Sequence, residues 1–556
     1  MPAELKTLTP HRESKSKTMS VTLIPESAPF SEEQRAWLNG FFAGLMGIEG
    51  ASADAALQQA SAAGLLPEQQ TAEEEETFPW HDDSLPIVDR MELADGKPLE
   101  RRLMAAMAQL DCGSCGYVCQ TYAEALARGE ESSLALCSPG GKETKKMLKT
   151  LLAEEQAEAG SNGASSNGAG QGGAPATKSN GTAAAWSRQN PFPATLLESR
   201  PLNQEGSAKD TRHVAIDLSG SGLSYQVGDA LGIYPVNCGE LAELIVEQLS
   251  ADANVNVRTP LGNEKPLLTA LQEDCCLKDP SDELIELLIE RIDDLVAKTD
   301  LQTMLREGVP EGVDVLDILQ LAGPATVSAT EVMETMEGLI PRLYSIASSM
   351  QQVGQQVHLT VGKVTFERNG RLRKGTASTM LAERVAPGEK LRVFVQPQHG
   401  GFTVPADPNT PMIMVGPGTG IAPFIAFLQE RVATKASGKN WLFFGDQHEA
   451  CDFLYQQELQ AYQSLGALER VSTAFSRDGS QKIYVQDRMH QLADELWQWI
   501  NAGAHFYVCG DASRMAVDVD RALKQIIARE SGMSENETRQ YVDQMIAEKR
   551  YVRDVY

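Results

Sequence analysis

The sequence predicts a multi-domain α/β protein: an antiparallel β-barrel with a helical insertion, a doubly wound parallel-sheet domain and a small N-terminal cysteine-rich helical module. Three observations support this prediction. From residue 411, short apolar segments alternate with helical ones, as in a parallel sheet covered by helices. Strand-like segments separated by turns occupy residues 187–405. Four of the nine cysteines lie within residues 112–137.

Length and composition exclude several classes of protein. A chain of 556 residues exceeds one hydrophobic core, so we expect roughly three or four folded units. The net charge of −27 argues against nucleic-acid binding. The longest apolar run, "FFAGLMGI" (41–48), is shorter than the roughly 20 residues of a membrane span, and no signal-peptide pattern is present. We expect a cytoplasmic protein with no membrane partner, in which clustered cysteines indicate metal or redox chemistry.

The N-terminal third divides by composition. Residues 1–99 are predicted to be a tail with a docking helix at 31–47, where apolar side chains recur at helical spacing after Ser31. Residues 100–157 contain the four clustered cysteines and are called the cysteine module below. The Gly-, Ser- and Ala-rich segment 158–186 is typical of a flexible linker.

The remaining chain predicts two larger domains. Residues 187–405 contain strand-like segments such as "HVAIDLS" and "KLRVFVQP" around an amphipathic helical insertion at about 240–338, which fits an interrupted barrel. In residues 406–556, "MVGPGTGIAPFIAFLQER" reads as a strand, a Gly-rich turn and a helix. Such a turn allows the backbone to approach a pyrophosphate at the helix N-terminus, although a tight turn without a ligand has the same pattern.

Seven motifs in order carry a family resemblance: "RLYSIASS", "KGTASTML", "GPGTGIAPF", "FFGDQHEACDFLYQQEL", "FSRD" with "KIYVQDRM", "FYVCGDASRMAVDVDRAL" and the terminal "YVRDVY". Together they resemble the diflavin-reductase branch of the ferredoxin–NADP reductase superfamily, especially the flavoprotein subunits of NADPH-dependent sulfite reductase. The resemblance covers about residues 187–556. It implies an FAD-binding barrel at 187–405, an NADP-binding domain at 406–556 and an NADPH-dependent oxidoreductase.

The resemblance also assigns cofactor-binding residues. Arg342 would pair with FAD phosphate and Tyr344 would face the isoalloxazine ring, although singly they read as an ordinary strand arginine and a core tyrosine. The other implied FAD ligands are Leu343, Ser345, Gly375, Thr376, Ala377 and Ser378. The implied NADP ligands are Gly418, Thr419, Gly420, Ser476, Arg477, Lys482, Tyr484, Gln486 and Asp511. Four of them, Ser476, Arg477, Lys482 and Tyr484, would bind the 2′-phosphate and adenine, which favours NADPH over NADH.

Four residues would act where flavin and nicotinamide meet. The resemblance brings Ser345, Cys509 and Asp554 together there to position the reactants. Without it, Cys509 reads as a small buried apolar residue. Tyr556 matches the terminal aromatic residue that covers the flavin and must move before nicotinamide can stack. A capping box at Ser534 predicts the helix that holds this tail.

The cysteine module departs from the family pattern. No FMN-binding domain precedes the barrel in this sequence, so we expect no FMN, and the module stands in that domain's place. Its C-x2-C-x3-C spacing, followed by C-x-P-G-G, resembles small [4Fe–4S] modules, with Cys112, Cys115, Cys119 and Cys137 as ligands. From the spacing alone, zinc, free thiols and disulfides remain alternatives.

These features predict electron flow from NADPH through FAD and an iron–sulfur centre to a separate sirohaem sulfite or nitrite reductase. The logic is that FAD accepts two electrons as hydride and releases them singly. Two alternatives remain open. The acceptor could be a nitrate reductase or a ferredoxin-like protein, or the cysteine module could be a zinc-stabilised docking domain while FAD reduces the partner directly.

Overall fold

A computed structural model describes residues 78–81, 85–109, 117–131, 134, 136–137, 139–161, 186–398 and 401–556. The predicted helix at 31–47, Cys112, Cys115 and most of the predicted linker lie outside these residues. The described residues from Trp80 onward belong to one compact unit.

The strands, in chain order, are β1 (Phe192–Pro201), β2 (Thr211–Asp217), β3 (Ala230–Tyr234), β4 (Asn256–Arg258), β5 (Glu264–Pro266), β6 (Arg342–Ser345), β7 (Gln356–Gly362), β8 (Thr365–Arg368), β9 (Arg371–Lys374), β10 (Lys390–Gln396), β11 (Met412–Val415), β12 (Asn440–Asp446), β13 (Arg470–Phe475), β14 (His505–Gly510) and β15 (Tyr551–Val555).

The helices are α1 (Ile87–Leu93), α2 (Leu99–Ala105), α3 (Cys119–Ala127), α4 (Gly141–Ser161), α5 (Gly239–Gln248), α6 (Leu267–Glu273), α7 (Asp282–Arg291), α8 (Leu295–Glu307), α9 (Val315–Ala322), α10 (Ala329–Thr335), α11 (Met350–Val353), α12 (Thr376–Thr379), α13 (Ala422–Ala433), α14 (Glu449–Asp452), α15 (Gln456–Ser464), α16 (Val485–Gln491), α17 (Ala493–Asn501), α18 (Met515–Ser531) and α19 (Glu535–Ala547). A π-helical turn covers Met380–Arg384 and a 3₁₀ turn covers Gly418–Ile421.

The cysteine module is helical, as predicted. Helices α3 and α4 both pack on α2, and the buried side chains Leu103, Met104, Tyr122 and Leu148 supply its core. Helix α1 precedes the module, and α4 runs beyond residue 157 into the segment predicted as linker.

The barrel is an antiparallel sheet with strand order β6-β3-β10-β1-β2-β7. An antiparallel bridge between Ile346, directly after β6, and Leu359 on β7 joins the two outer strands. Alternate residues of its strands, such as Ala194 and Leu196 on β1, point into a shared apolar core. The predicted barrel is therefore present.

The helical insertion separates β3 from β6. Helices α5–α10 and the two-stranded β4–β5 ribbon surround a core of their own that includes Ile245, Leu271 and Leu288. Ser281 caps α7 by accepting a hydrogen bond from the Leu284 amide at 3.1 Å. This insertion therefore folds as a distinct helical layer beside the barrel.

The C-terminal domain is a parallel five-stranded sheet with order β13-β12-β11-β14-β15. Separate apolar clusters cover its two faces: α13 and α15 contribute to one, and α16–α19 to the other. This confirms the doubly wound prediction. The strand order reverses between β12 and β14 on either side of β11, and ligands of such sheets bind at this switch point, beyond the carboxyl ends of the strands. Among the described residues, no helix has both the length and the apolar character needed to cross a membrane.

Candidate active site

A cavity of about 1150 Å³ lies where the barrel, the parallel sheet and the cysteine module meet. We call it the central cavity. It exceeds the roughly 300–1,000 Å³ of most small-ligand pockets, as a dinucleotide requires. Many of the residues assigned from the sequence line it: Arg342, Leu343, Tyr344, Ser345, Gly375, Thr376, Ala377, Ser378, Gly418, Thr419, Asp511, Asp554 and Tyr556.

Two candidate catalytic residues, Ser345 and Cys509, lie against the same carboxylate oxygen of a third, Asp554. Ser345, the last residue of β6, donates its hydroxyl to Asp554 Oδ2 at 2.8 Å. The Cys509 thiol lies 3.7 Å from the same oxygen. Because β14 and β15 are parallel neighbours, Cys509 and Asp554 are register partners. Burial raises the pKa of Cys509, and the Asp554 carboxylate raises it further, so the thiol is neutral at pH 7 and acts as a hydrogen-bond donor.

The C-terminal residue is held beside the Gly-rich turn. The hydroxyls of Tyr556 and Thr419 lie 2.9 Å apart, and the Tyr556 amide donates to the Gly510 carbonyl at 3.0 Å. The side chain of Tyr556 is still 44% exposed. Its ring therefore covers part of the central cavity without being packed into the core.

Close backbone contacts shape the part of the cavity predicted to hold FAD. A side chain at Gly375 would place its Cβ 2.6 Å from Ser378 Oγ and 3.2 Å from the Val364 carbonyl oxygen. Ser378 Oγ accepts a hydrogen bond from the Val364 amide at 3.2 Å. Arg342 and Tyr344 lie on β6 beside this turn in the cavity lining, and burial raises the pKa of the Tyr344 hydroxyl. The chain thus offers a backbone turn, a cation and an aromatic ring to one ligand.

The Gly-rich turn after β11 is equally confined. A Cβ on Gly420 would fall 2.1 Å from the Cys509 carbonyl oxygen, so only glycine fits where the turn meets β14. Gly418 has a φ of +57°, a left-handed conformation that favours glycine. These contacts bring the backbone of the turn to the switch point, where it can approach a pyrophosphate.

Comparison with known families agrees with this geometry. Residues 184–276 and 279–380 match the family described as FAD binding domain. Residues 414–521 match the family described as Oxidoreductase NAD-binding domain. The chain belongs to the ferredoxin–NADP reductase superfamily. The barrel with its insertion is therefore its FAD-binding domain, and the parallel-sheet domain its NAD-binding domain.

Individual relatives share one description, that of a sulfite reductase flavoprotein component. The sulfite reductase [NADPH] flavoprotein alpha-component of Bacillus subtilis is 44% identical over 394 residues, which cover 69% of this chain and 64% of the relative. The protein of that description in Photobacterium profundum is 43% identical over 389 residues, or 69% of this chain and 63% of the relative. The chain thus spans less than two thirds of the length of these reductase-superfamily relatives.

None of the four residues predicted to bind the 2′-phosphate lines the central cavity. Ser476 and Arg477 follow β13, and Ser476 donates its amide to the Asp446 carbonyl at 2.9 Å. Tyr484 begins α16 and is 45% exposed. Arg477 and Lys482 are exposed and form no ion pair within the described part of the chain. Both cations are therefore accessible to an anionic ligand from solvent.

Three further assigned NADP residues, Gln486, Gly420 and Asp511, lie inside the NAD-binding domain. Gln486 donates its amide to Asp518 at 3.5 Å, and Gly420 is buried in its turn. Asp511 accepts hydrogen bonds from the Ser513 hydroxyl and amide at the start of α18. Burial disfavours ionisation of Asp511, but these bonds leave its pKa lowered. Its carboxylate therefore carries a negative charge at the cavity edge.

Sequence reasoning missed an ion pair across the domain boundary. Lys209, in the β1–β2 loop, lies 2.5 Å from Asp446 Oδ1 at the end of β12, and both residues line the central cavity. Burial raises the pKa of Asp446, whereas Lys209 opposes this shift. Asp446 belongs to the "FFGDQHE" motif, so the family resemblance could have indicated this residue. Lys209 lies in a loop with no distinctive pattern.

Two of the four predicted metal ligands fall within the described residues. Cys119 is the first residue of α3, and Cys137 lies just before α4; both are buried. A Cβ on Gly140 would lie 2.1 Å from Thr144 Oγ1 and 3.0 Å from Cys137 Sγ, so only glycine fits between Cys137 and the first turn of α4. The described residues contain no group of three or more potential metal ligands, and Cys112 and Cys115 lie outside them.

Proposed function

We propose that this chain is an NADPH-dependent flavoprotein reductase subunit that supplies electrons to a separate sulfite reductase haemoprotein. One observation carries the proposal: the hydrogen bond from Ser345 of the FAD-binding domain to Asp554 of the NAD-binding domain at the central cavity. The descriptions of the relatives as sulfite reductase [NADPH] flavoprotein components support the choice of acceptor.

The cofactor sites divide between the two domains, at 187–405 and 406–556. Arg342, Tyr344 and the turn at 375–378 would hold FAD, and the turn at 418–420 with the exposed cations Arg477 and Lys482 would hold NADPH. When bound, FAD accepts hydride from NADPH and releases electrons one at a time. The protein's own task is to bind and orient both cofactors.

Asp554 is proposed as the positioning centre. Its Oδ2 accepts from the Ser345 hydroxyl and lies beside the neutral Cys509 thiol, so it orients both donors. Tyr556 covers the cavity next to them and must move before nicotinamide can stack. Misplacing such groups by about 1 Å can cost about 10²-fold in rate.

The cysteine module is proposed to hold a [4Fe–4S] cluster through Cys112, Cys115, Cys119 and Cys137. Cys119, at the start of α3, and Cys137, four residues before α4, are both buried, which supports this assignment. A cluster there would provide a one-electron exit, which a reductase of haem proteins needs.

Replacing Asp554 tests the active-site assignment. In Asp554→Ala, Ser345 and Cys509 lose their shared acceptor, so NADPH-dependent ferricyanide reduction should fall about 10²-fold while bound FAD is retained. The matched control is Asp543→Ala, the same change at an exposed position on α19. Equal rates for Asp554→Ala and wild type would contradict the assignment.

Metal and partner analysis tests the electron exit and the acceptor. Anaerobically purified protein should contain about four irons per chain with matching acid-labile sulfide, and a sirohaem protein should co-purify from the native cell extract. Stoichiometric zinc without iron would replace the electron-exit assignment with the docking-domain alternative. Co-purification of a different reductase would replace the proposed acceptor.

A further inference from the structure

The cysteine module forms part of the wall of the central cavity. Gln109 and Val118 of the module line the same cavity as Arg342 and Tyr344 of the FAD-binding domain. Gln109 is 5% exposed, and its amide nitrogen donates to the carbonyl oxygens of Met104 and, at 3.0 Å, Met107. This part of the wall is therefore held firmly within the module, and its position at the cavity depends on how the module docks.

The first docking contact involves Tyr117, the residue before Val118. The guanidinium carbon of Arg188 lies 3.5 Å from the centroid of the Tyr117 ring, a close cation–π contact. The Arg188 carbonyl in turn accepts a hydrogen bond at 2.8 Å from the hydroxyl of Tyr234 on β3. Since β3 pairs with β6, this contact ties the module to the strand next to Tyr344.

The second docking contact is electrostatic. Lys145 on α4 lies 2.8 Å from Asp282 on α7 of the helical insertion. The carboxylates of Glu283 and Glu337 also act on Lys145, so a single module cation faces a group of acidic residues on the FAD-binding domain. Reversing the charge of Lys145 would replace attraction by repulsion from three carboxylates.

We propose that docking of the cysteine module through Tyr117 and Lys145 completes the wall of the central cavity where FAD would bind. FAD affinity then depends on a module outside the FAD-binding domain. The proposal rests on the proposed FAD site. Because linkage is reciprocal, bound FAD stabilises the docked module to the same extent. Docking also sets the position of Cys119, two residues after Tyr117, relative to the flavin cavity.

FAD titration of the full-length apoprotein, followed by flavin fluorescence, tests this proposal. Tyr117→Ala and Lys145→Glu should each raise the Kd for FAD about fivefold, as expected for losing about 1 kcal/mol. The double variant Lys145→Glu/Asp282→Lys, which restores the pair with opposite polarity, should recover part of the lost affinity, because Glu283 and Glu337 still repel a carboxylate at position 145. Lys149→Glu, the same change at an exposed position on α4, should match wild type.

The outcomes separate this inference from the proposed function. If wild type binds FAD and both single variants bind it equally well, the docking proposal is overturned while the reductase assignment stands. If Lys145→Glu weakens FAD binding and the double variant recovers none of it, the ion pair is not the docking contact and the proposal is likewise overturned. If wild type binds no FAD, the proposed function itself fails.

Discussion

Asp554 shows how much of the candidate site depends on one side chain. It lies two residues from the C-terminus, yet it accepts a hydrogen bond from Ser345, 209 positions earlier in the chain. Its neighbour Cys509 is buried, and its thiol stays protonated because burial and the adjacent carboxylate both raise the pKa. A short C-terminal strand therefore carries the acceptor that orients donors from both domains.

At the same scale, Tyr556 is expected to control coenzyme choice. In wild type, the extra binding energy of the 2′-phosphate, which only NADPH carries, helps nicotinamide to displace the Tyr556 ring. In Tyr556→Ala the ring no longer covers the cavity, so this extra binding energy is no longer needed. The ratio of kcat/KM for NADPH to that for NADH should fall about tenfold or more, measured with ferricyanide as acceptor. Tyr556→Phe keeps the ring and loses only the contact with Thr419, so it should retain most of the selectivity. An unchanged ratio in Tyr556→Ala would contradict this role.

Among the elements, α19 and β15 form the support of the site. The predicted capping box is confirmed: Ser534 accepts from the Glu537 amide, and Glu537 Oε2 accepts from the Ser534 amide at 2.8 Å. The helix leads directly to β15, which pairs with β14 along its length. The start of α19 therefore helps to hold Asp554 and Tyr556 in register.

Removing this cap should cost stability. Ser534→Ala should lower the free energy of unfolding by about 1 kcal/mol at pH 7, measured by urea unfolding, whereas Ser534→Thr should keep most of it. Hydrogen bonds from Ser534 hold the pKa of Glu537 below its usual 4.5. The stability that the Glu537 carboxylate contributes is therefore complete above about pH 4.5 and is lost as the pH falls through the lowered pKa. An unfolding free energy of Ser534→Ala equal to that of wild type at pH 7 would argue against a stabilising cap.

In the whole molecule, a buried polar cluster joins the FAD-binding and NAD-binding domains. His213 Nδ1 lies 3.1 Å from the Tyr455 hydroxyl, which also lies 2.8 Å from Thr360 Oγ1. The His213 and His358 rings are 4.8 Å apart. Burial lowers the pKa of His213 to about 3 and that of His358 to about 4, and nearby Arg200 adds to both shifts. The interface therefore requires neutral imidazoles.

This cluster predicts that acid weakens the association of the two domains. The unfolded chain binds protons at a pKa of about 6.5, whereas the folded histidines stay neutral to about pH 4, so stability falls as the pH drops through this range. At pH 5 the loss should be about 2 kcal/mol per histidine. The double variant His213→Gln/His358→Gln should lose less stability between pH 7.5 and 5 than wild type, measured by urea unfolding. His490→Gln, outside the cluster, is the matched control; parallel curves for wild type and the double variant would contradict the prediction.

The sequence alone was enough to predict the classes of the two large domains and to identify the motifs that line the cavity. Apolar periodicity is a local property, so the alternation of β11–β14 with helices and the capping box at Ser534 could be predicted. The family resemblance identified Arg342 and Asp554 from the short motifs that contain them. Both kinds of inference depend on short segments, each of which carries its own pattern.

Contacts between distant segments could not be predicted and became apparent in the folded molecule. The Lys209–Asp446 ion pair and the contacts of Tyr117 with Arg188 and of Lys145 with Asp282 join side chains from different domains. None of them leaves a periodic signal, because a single cation in a loop or on a helix surface looks the same whether it faces solvent or another domain. The position of the cysteine module at the central cavity depends on how the module packs against the FAD-binding domain. That packing depends on the complete surfaces of both, which no short segment encodes.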